Sequence, residues 1–535
     1  MPESVDRDAP ALPALIPRDV LFGNPERSNP QLSPDGKYLT YLAPDGSDVL
    51  QVWLRTIGHV DDRAITADKK RGIRAYFWAY DGQQVIYLQD ADGDENWHLY
   101  AVSIVTKVVR DITPFQGIQA QLVARDPSFP DALLVGINLL DRRKHDVYRI
   151  DLRNGAIELD TENPGNVLGW TTDAQFQVRA ALAMTPDGGR ELRLRESSGA
   201  PWTTLRQWSP DDEGHAVGFS ADGSRLYVVS DHDANAQRLQ TIDLVTGMEM
   251  TLAADDQYDV GGVMFHPTRR IIEAVAFYRE RMEWKVVDPD IKADFAAIAG
   301  VREGEYSVSS RDLAGKTWLV SYRTDAGPNY FYAYDRASKQ STLLFSHQPK
   351  LEGLSLAPMG PIVYQSRDGL PIHGYLTTPV GVPSRQLPAV LLVHGGPWGR
   401  DTWGFDPMVQ WLANRGYVVL QMNFRGSAGY GKQFLHAGDR EWAGKMHDDV
   451  IDGVTWLVRQ GIADPQRIAI FGESYGGFAT LVGLTFTPDA FAAGVDLVGP
   501  SNIVTLLKSM PPYWAPMRAM MFRRVGDPEA DQAFL

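Results

Sequence analysis

Seven turn-forming sites recur along the first two thirds of this 535-residue chain, at Asp35, Asp81, Asp131, Asp173, Asp222, Thr268 and Asp312. Their spacings are 46, 50, 42, 49, 46 and 44 residues. Each site interrupts short runs rich in Val, Tyr, Leu and Trp. The clearest unit runs from Asn29 to Leu42 around Pro34-Asp35-Gly36 and continues in Val49–Leu54, and its grammar returns at Trp78–Leu88 and Gly218–Val229. Asp-Gly pairs suit tight hairpin turns, which need positive φ. A repeat of about 46 residues reading strand, turn, strand, loop, strand matches a four-stranded propeller blade. A two-sheet sandwich does not predict seven evenly spaced copies. Residues 25–350 are therefore expected to form a seven-bladed β-propeller. Residues 1–24 are expected to be an N-terminal segment leading into the propeller or into the domain that follows.

Beyond about residue 360 the grammar changes to alternating strands and helices. Pro388–Val393, Tyr417–Met422 and Arg467–Phe471 are apolar runs of strand length, and Val450, Val454, Leu457 and Val458 form a helical stripe between the second and third. Asp406-Pro407 supplies a helix cap and a first-turn proline, and Gly416 a stop. Such alternation implies a mostly parallel sheet covered on both faces, spanning 351–535.

Composition removes several chemistries. Cysteine is absent, which excludes disulfides, thiolate metal sites, iron–sulfur clusters and a cysteine nucleophile. The 52 basic and 67 acidic residues give a net charge of −15, the wrong sign for a general nucleic-acid binder. No window nears the ~18 apolar residues of a membrane span. Met1–Asn24 lacks the basic and apolar regions of a secretory signal, so a cytoplasmic location is expected. The histidines show no ligand spacing, and neither a metal nor another cofactor is expected.

The chemistry-bearing motif is Gly472-Glu473-Ser474-Tyr475-Gly476, a G-x-S-x-G elbow set between a buried strand and a helix. That context marks Ser474 as the nucleophile and aims the Tyr475 N–H at the developing oxyanion. His394-Gly395-Gly396-Pro397 ends the strand that would be the third of an α/β-hydrolase sheet, and the Gly396 N–H is the expected second donor. In that fold the base follows the nucleophile along the chain, so His394 is read as shaping the loop.

Taken with Asn423-Phe-Arg-Gly-Ser-Ala-Gly-Tyr-Gly431 and with Gly438–Gly444 followed by Asp448-Asp449, these motifs resemble the prolyl oligopeptidase family of serine peptidases. The nearest branches are the acylaminoacyl-peptidase and dipeptidyl-peptidase-like ones. The resemblance implies hydrolysis of short peptides through an acyl-enzyme on Ser474, with a propeller capping the site and excluding folded proteins. It leaves cleavage preference and homo-oligomer formation open, and no nucleic-acid or membrane partner is expected.

The family orders its triad Ser, Asp, His, whereas the histidines here end at His447. Phe522–Leu535 resembles the helical region that precedes the family's Asp-bearing strand. The expectation is thus a C-terminally incomplete hydrolase domain, with the triad Asp and His not present in residues 1–535. Asp489 and Asp496 have no base to orient. The chain alone is then expected to be inactive, and its sheet to expose an apolar edge that favours aggregation or a partner. Glu95, beside Asp94 and Asn96, is read either as an anchor for a peptide amino terminus or as part of a solvated acidic loop. Arg425 is read either as a structural partner of a carboxylate or as a substrate-carbonyl ligand. Two rival functions stay open: an esterase on the same fold, and an inert propeller-hydrolase binding protein.

Overall fold

The computed structural model describes residues 13–535. Seven antiparallel sheets, at residues 28–64, 76–111, 120–161, 167–208, 214–253, 260–286 and 305–346, make a seven-bladed β-propeller in which each sheet's strands follow chain order. All seven turn sites fall between a blade's first and second strands. The local cause is visible at Asp81. Its carboxylate accepts the N–H groups of Gln83 (2.8 Å) and Gln84 (3.1 Å), while Gly82 takes up a left-handed φ of 67°.

The cores lie between blades. Ile86 and Leu99 of the second blade pack on Leu133, Val135 and Ile137 of the third. The ring closes in the same way, with Leu32, Leu39 and Tyr41 of the first blade against Leu319, Phe331 and Phe345 of the seventh. The sixth blade departs from the four-strand expectation. It has three strands, and helix Lys292–Ala299 follows them. The Ala-rich Lys-Ala-Asp-Phe-Ala-Ala-Ile-Ala segment favours a helix over an outer strand. Phe295 and Ile298 of that helix enter the core shared with the seventh blade, and buried Asp294 pairs with Arg336 at 2.8 Å.

The second domain is an α/β-hydrolase sheet of β1 (Met359–Gln365), β2 (Pro371–Thr377), β3 (Leu387–Val393), β4 (Val418–Asn423), β5 (Ala463–Glu473) and β6 (Ala493–Leu497). Their order is β1-β2-β4-β3-β5-β6, parallel from β4 to β6. Alternate residues serve opposite faces. Val390 and Val419 meet Val409 and Leu412 of helix Pro407–Ala413. Leu391, Leu420 and Ile470 meet Val450 and Leu457 of helix Lys445–Arg459 and Val482 of helix Tyr475–Phe486. β6 is the last strand in that order, and its Val495 and Leu497 are exposed.

The connection between second and third strands is the propeller's docking face. In the fifth blade Asn235 accepts the Lys432 N–H at 2.8 Å. In the sixth the Tyr278 carbonyl accepts from Arg400 (2.8 Å) and that of Glu280 from the Tyr375 hydroxyl (2.9 Å). In the seventh the Asp325 carbonyl accepts from Gln410 (3.1 Å). Residues 14–22 sit on the hydrolase side, where the Ile16 N–H donates to Asn414 (2.7 Å) and Leu21 packs with Leu351 and Leu356. Among the described residues no helix is long and apolar enough to cross a membrane.

Candidate active site

Ser474 joins β5 to helix Tyr475–Phe486 at φ 57° and ψ −117°. A non-glycine residue held there carries local backbone strain, which persists only where the surroundings enforce it. Three glycines do so. A Cβ on Gly472 would overlap the backbone of Gly476, one on Gly476 the Val393 carbonyl, and one on Gly477 the Asp496 carboxylate. The Ser474 N–H is used by the Leu497 carbonyl of β6 (2.9 Å), which fixes the turn and leaves the side chain exposed. Tyr475 opens the helix, and a first-turn N–H has no acceptor within its own helix. Its ring is buried against Phe424, Trp442 and Phe478, which anchors that end.

The loop after β3 lies directly against this elbow. A Cβ on Gly395 would sit 3.5 Å from Ser474 Cβ and 3.2 Å from the Glu473 carbonyl. Gly396 is exposed and has φ 125°, a conformation that only glycine takes up readily. His394 stacks on Phe424 with ring centroids 4.4 Å apart, and burial lowers its pKa to about 4. Ser474 and Gly396 are therefore both exposed where the two loops meet, and Tyr475 follows Ser474 at the start of the helix. Among the described hydrogen bonds none joins a histidine to Ser474. His394 contacts Gly395 and Ser427, His436 contacts Asp439 and Asp211, and His447 contacts Thr487.

Arg425 is not available to a substrate. It is 3% exposed, its Nε and Nη2 donate to Asp449 at 2.8 and 2.7 Å, Nη1 and Nη2 reach Asp368 at 2.7 and 2.9 Å, and Nη2 also reaches Ser366. This closes the substrate-carbonyl reading in favour of the structural one, because the guanidinium's donors are consumed within the fold. Glu95 is exposed at φ 57° in the connection between the second and third strands of the second blade. That connection belongs to the face on which the hydrolase domain docks. Its carbonyl accepts from Gln119, and a cavity of about 360 Å³ beside it is lined by Arg71, Arg74, Leu88, Trp97, Gln119 and Gln121.

The sequence reading gave no role to Asp401, four residues past the glycine loop. Its Oδ1 accepts from Gln421 (3.1 Å), its Oδ2 is buried with no partner among the described residues, and burial pushes its pKa up to about 7. Neighbouring Arg400 donates to the Tyr430 hydroxyl (2.9 Å) as well as to the propeller, and Asn423 donates to the same hydroxyl (2.7 Å). The quoted Asn423–Gly431 motif contained two of these residues, but nothing local to it names their partners.

The sequence profile of the prolyl oligopeptidase family matches residues 403–531. Dipeptidyl aminopeptidase BIII of Pseudoxanthomonas mexicana is 45% identical over 99% of this chain and 78% of its own length. Dipeptidyl peptidase family member 6 of Caenorhabditis elegans is 32% identical over 97% of this chain and 75% of its own length. A puromycin-hydrolysing peptidase of Mycobacterium tuberculosis superposes with a TM-score of 0.77 at 19% identity, covering 98% of this chain and 86% of the other, and so shares the fold.

Proposed function

The chain belongs to the prolyl oligopeptidase family of serine peptidases, and from that premise we propose that it cleaves short peptides at Ser474 by acyl transfer. One observation carries the assignment. The Ser474 side chain is exposed on an enforced left-handed turn with the Gly395-Gly396 loop packed against it. In the proposed reaction Ser474 Oγ bonds to the scissile carbonyl carbon. The carbonyl oxygen gains negative charge, accepts the N–H groups of Gly396 and Tyr475, and then reforms its double bond as the amine leaves. Water repeats the sequence on the acyl-enzyme.

The hydroxyl proton must pass to a base and then to the leaving amine. None of the described histidines is bonded to Ser474, and no histidine follows His447 in residues 1–535. The working domain boundaries are 1–24, 25–350 and 351–535.

For specificity we take the aminopeptidase reading over the esterase or the inert-scaffold reading, because the P. mexicana relative spans both domains at 45% identity. The exposed Glu95 carboxylate, on the docking face and beside this cavity, is the proposed anchor for a free peptide amine. A fluorophosphonate probe should label the protein and fail to label Ser474→Ala; persistent labelling of that variant sinks the nucleophile assignment. Aminoacyl-prolyl anilides should be turned over faster than acyl-alanyl anilides or simple p-nitrophenyl esters. In Glu95→Gln, KM for the aminoacyl substrate should rise about tenfold, as expected for losing one charge-assisted contact to the amine.

A further inference from the structure

His394 makes two contacts through its ring nitrogens, Nδ1 to the Gly395 carbonyl oxygen at 2.8 Å and Nε2 to Ser427 Oγ at 2.9 Å. A carbonyl oxygen can only accept, so Nδ1 carries the proton. Ser427 has one hydroxyl proton and two claimants, Nε2 and the Phe424 carbonyl at 2.6 Å. That carbonyl has two lone pairs and also accepts the Ser427 N–H at 3.0 Å, so the Nδ1 contact alone sets the tautomer, and burial, which lowers the His394 pKa to about 4, keeps the ring neutral. The ring is then a neutral Nδ1–H tautomer. Stacking on Phe424 at an interplanar angle of 15° fixes the plane itself. Phe424 and Ser427 are both fully buried, so this seat is rigid.

A trans peptide points its C=O and N–H in opposite directions. The Gly395 carbonyl is turned inward to the imidazole, so the N–H of Gly396 is turned outward, to the side on which Gly396 and Ser474 are exposed. The far arm of the same loop is pinned by Ala428, whose N–H donates to the Gly399 carbonyl at 3.0 Å. We propose that His394 is the positioning residue of the oxyanion hole: its Nδ1–H holds the Gly395 carbonyl and thereby aims the Gly396 N–H at the oxygen that becomes negative. The proposal rests on Ser474 being the nucleophile.

Two substitutions separate the two ring nitrogens. His394→Asn places an amide N–H where Nδ1 was, and His394→Gln places one where Nε2 was. The first direct test is 15N-histidine NMR of the full chain at pH 7, with the His394 resonances assigned by their loss in the variants. A pyrrole-type Nδ1 and a pyridine-type Nε2 are expected; the reverse pattern, or an imidazolium, overturns the proposal.

The second test is affinity for an aminoacyl boronic acid, which forms a tetrahedral adduct at the nucleophile, with melting curves to confirm that each variant is folded. His394→Asn should retain most of the affinity and His394→Gln should lose about 30-fold or more, within the range seen when an oxyanion donor is lost. Equal loss in both variants would show that the ring matters only as packing, and no loss in His394→Gln would show that it aims nothing. If Ser474→Ala binds the boronic acid as well as the parent does, the nucleophile reading fails instead, and the NMR result still decides whether the carbonyl is held as described.

Discussion

The propeller and the hydrolase sheet bury their strands by opposite strategies. The propeller repeats one solution around its ring, a hairpin turn of local chemistry and a core shared with the next blade, varied at the sixth blade where helix Lys292–Ala299 follows three strands. The hydrolase domain uses contacts that occur once. Gly476 against Val393, Arg425 between Asp449 and Asp368, and the imidazole of His394 against Gly395 are each a single contact that no repeat duplicates among the described residues. Damage in a repeated architecture is shared among neighbours, whereas a unique contact has nothing to compensate for it. Single substitutions should therefore act unequally in the two regions.

The largest expected effect is at Gly476→Ala. Its Cβ would enter the Val393 carbonyl, a backbone atom that cannot move aside without breaking β3 from β5. A loss of about 4 kcal/mol or more is expected, the size reserved for core overpacking and strain. Hydrogen exchange resolved by region should show protection lost across residues 359–497 while residues 28–346 stay protected. Uniform loss in both regions would break the comparison, because it would mean that the two fold as a single unit.

Next comes Arg425→Ala, which leaves Asp449, 0% exposed, without its partner. Removing one member of a buried pair costs about 3–5 kcal/mol. Denaturant unfolding of this variant, compared with Arg425→Met/Asp449→Leu, sharpens the point. The double variant should recover much of the loss, since the penalty lies in the stranded charge.

These two residues also mark how far the sequence could be read. The elbow was legible because Gly-x-Ser-x-Gly between a strand and a helix is complete within five residues. The blades were legible because Asp-Gly turn chemistry is local and recurs. Arg425 was not, since its partners stand 24 and 57 residues away and only the closed sheet brings them together. The same holds for the docking face, where Lys432 meets Asp212 across 220 residues at 2.6 Å. Helix Lys292–Ala299 was missed for a different reason. A regular repeat invites the reader to supply a fourth strand, and the local helix propensity of an Ala-rich segment then goes unweighed.

Asp401 gives a smaller, pH-dependent effect. Its folded pKa of about 7 lies above the ordinary carboxylate value near 4, so the folded state binds a proton that the unfolded state has released. Stability is then lost as pH rises between roughly 4 and 7, by up to about 1.4 kcal/mol per pH unit, and the loss levels off above the folded pKa. Asp401→Asn removes that slope. Its melting temperature should match the parent near pH 4 and exceed it increasingly towards pH 7. A parallel offset at all pH values would show that Asp401 does not titrate in this window.

The smallest effect belongs to the repeated region and completes the contrast with Gly476. Gly82 sits at φ 67° in the turn of the second blade, and a Cβ there would meet nothing within 4 Å. Substitution by alanine therefore carries only the conformational penalty of a left-handed residue, about 1 kcal/mol. Gly82→Asn should lose less still, because asparagine tolerates that region. The Asp81 carboxylate keeps the turn's N–H groups satisfied in either case. Chemical denaturation of both variants beside Gly476→Ala isolates geometry from crowding. If Gly82→Ala lost as much as Gly476→Ala, the repeated blades would be no more forgiving than the unique elbow.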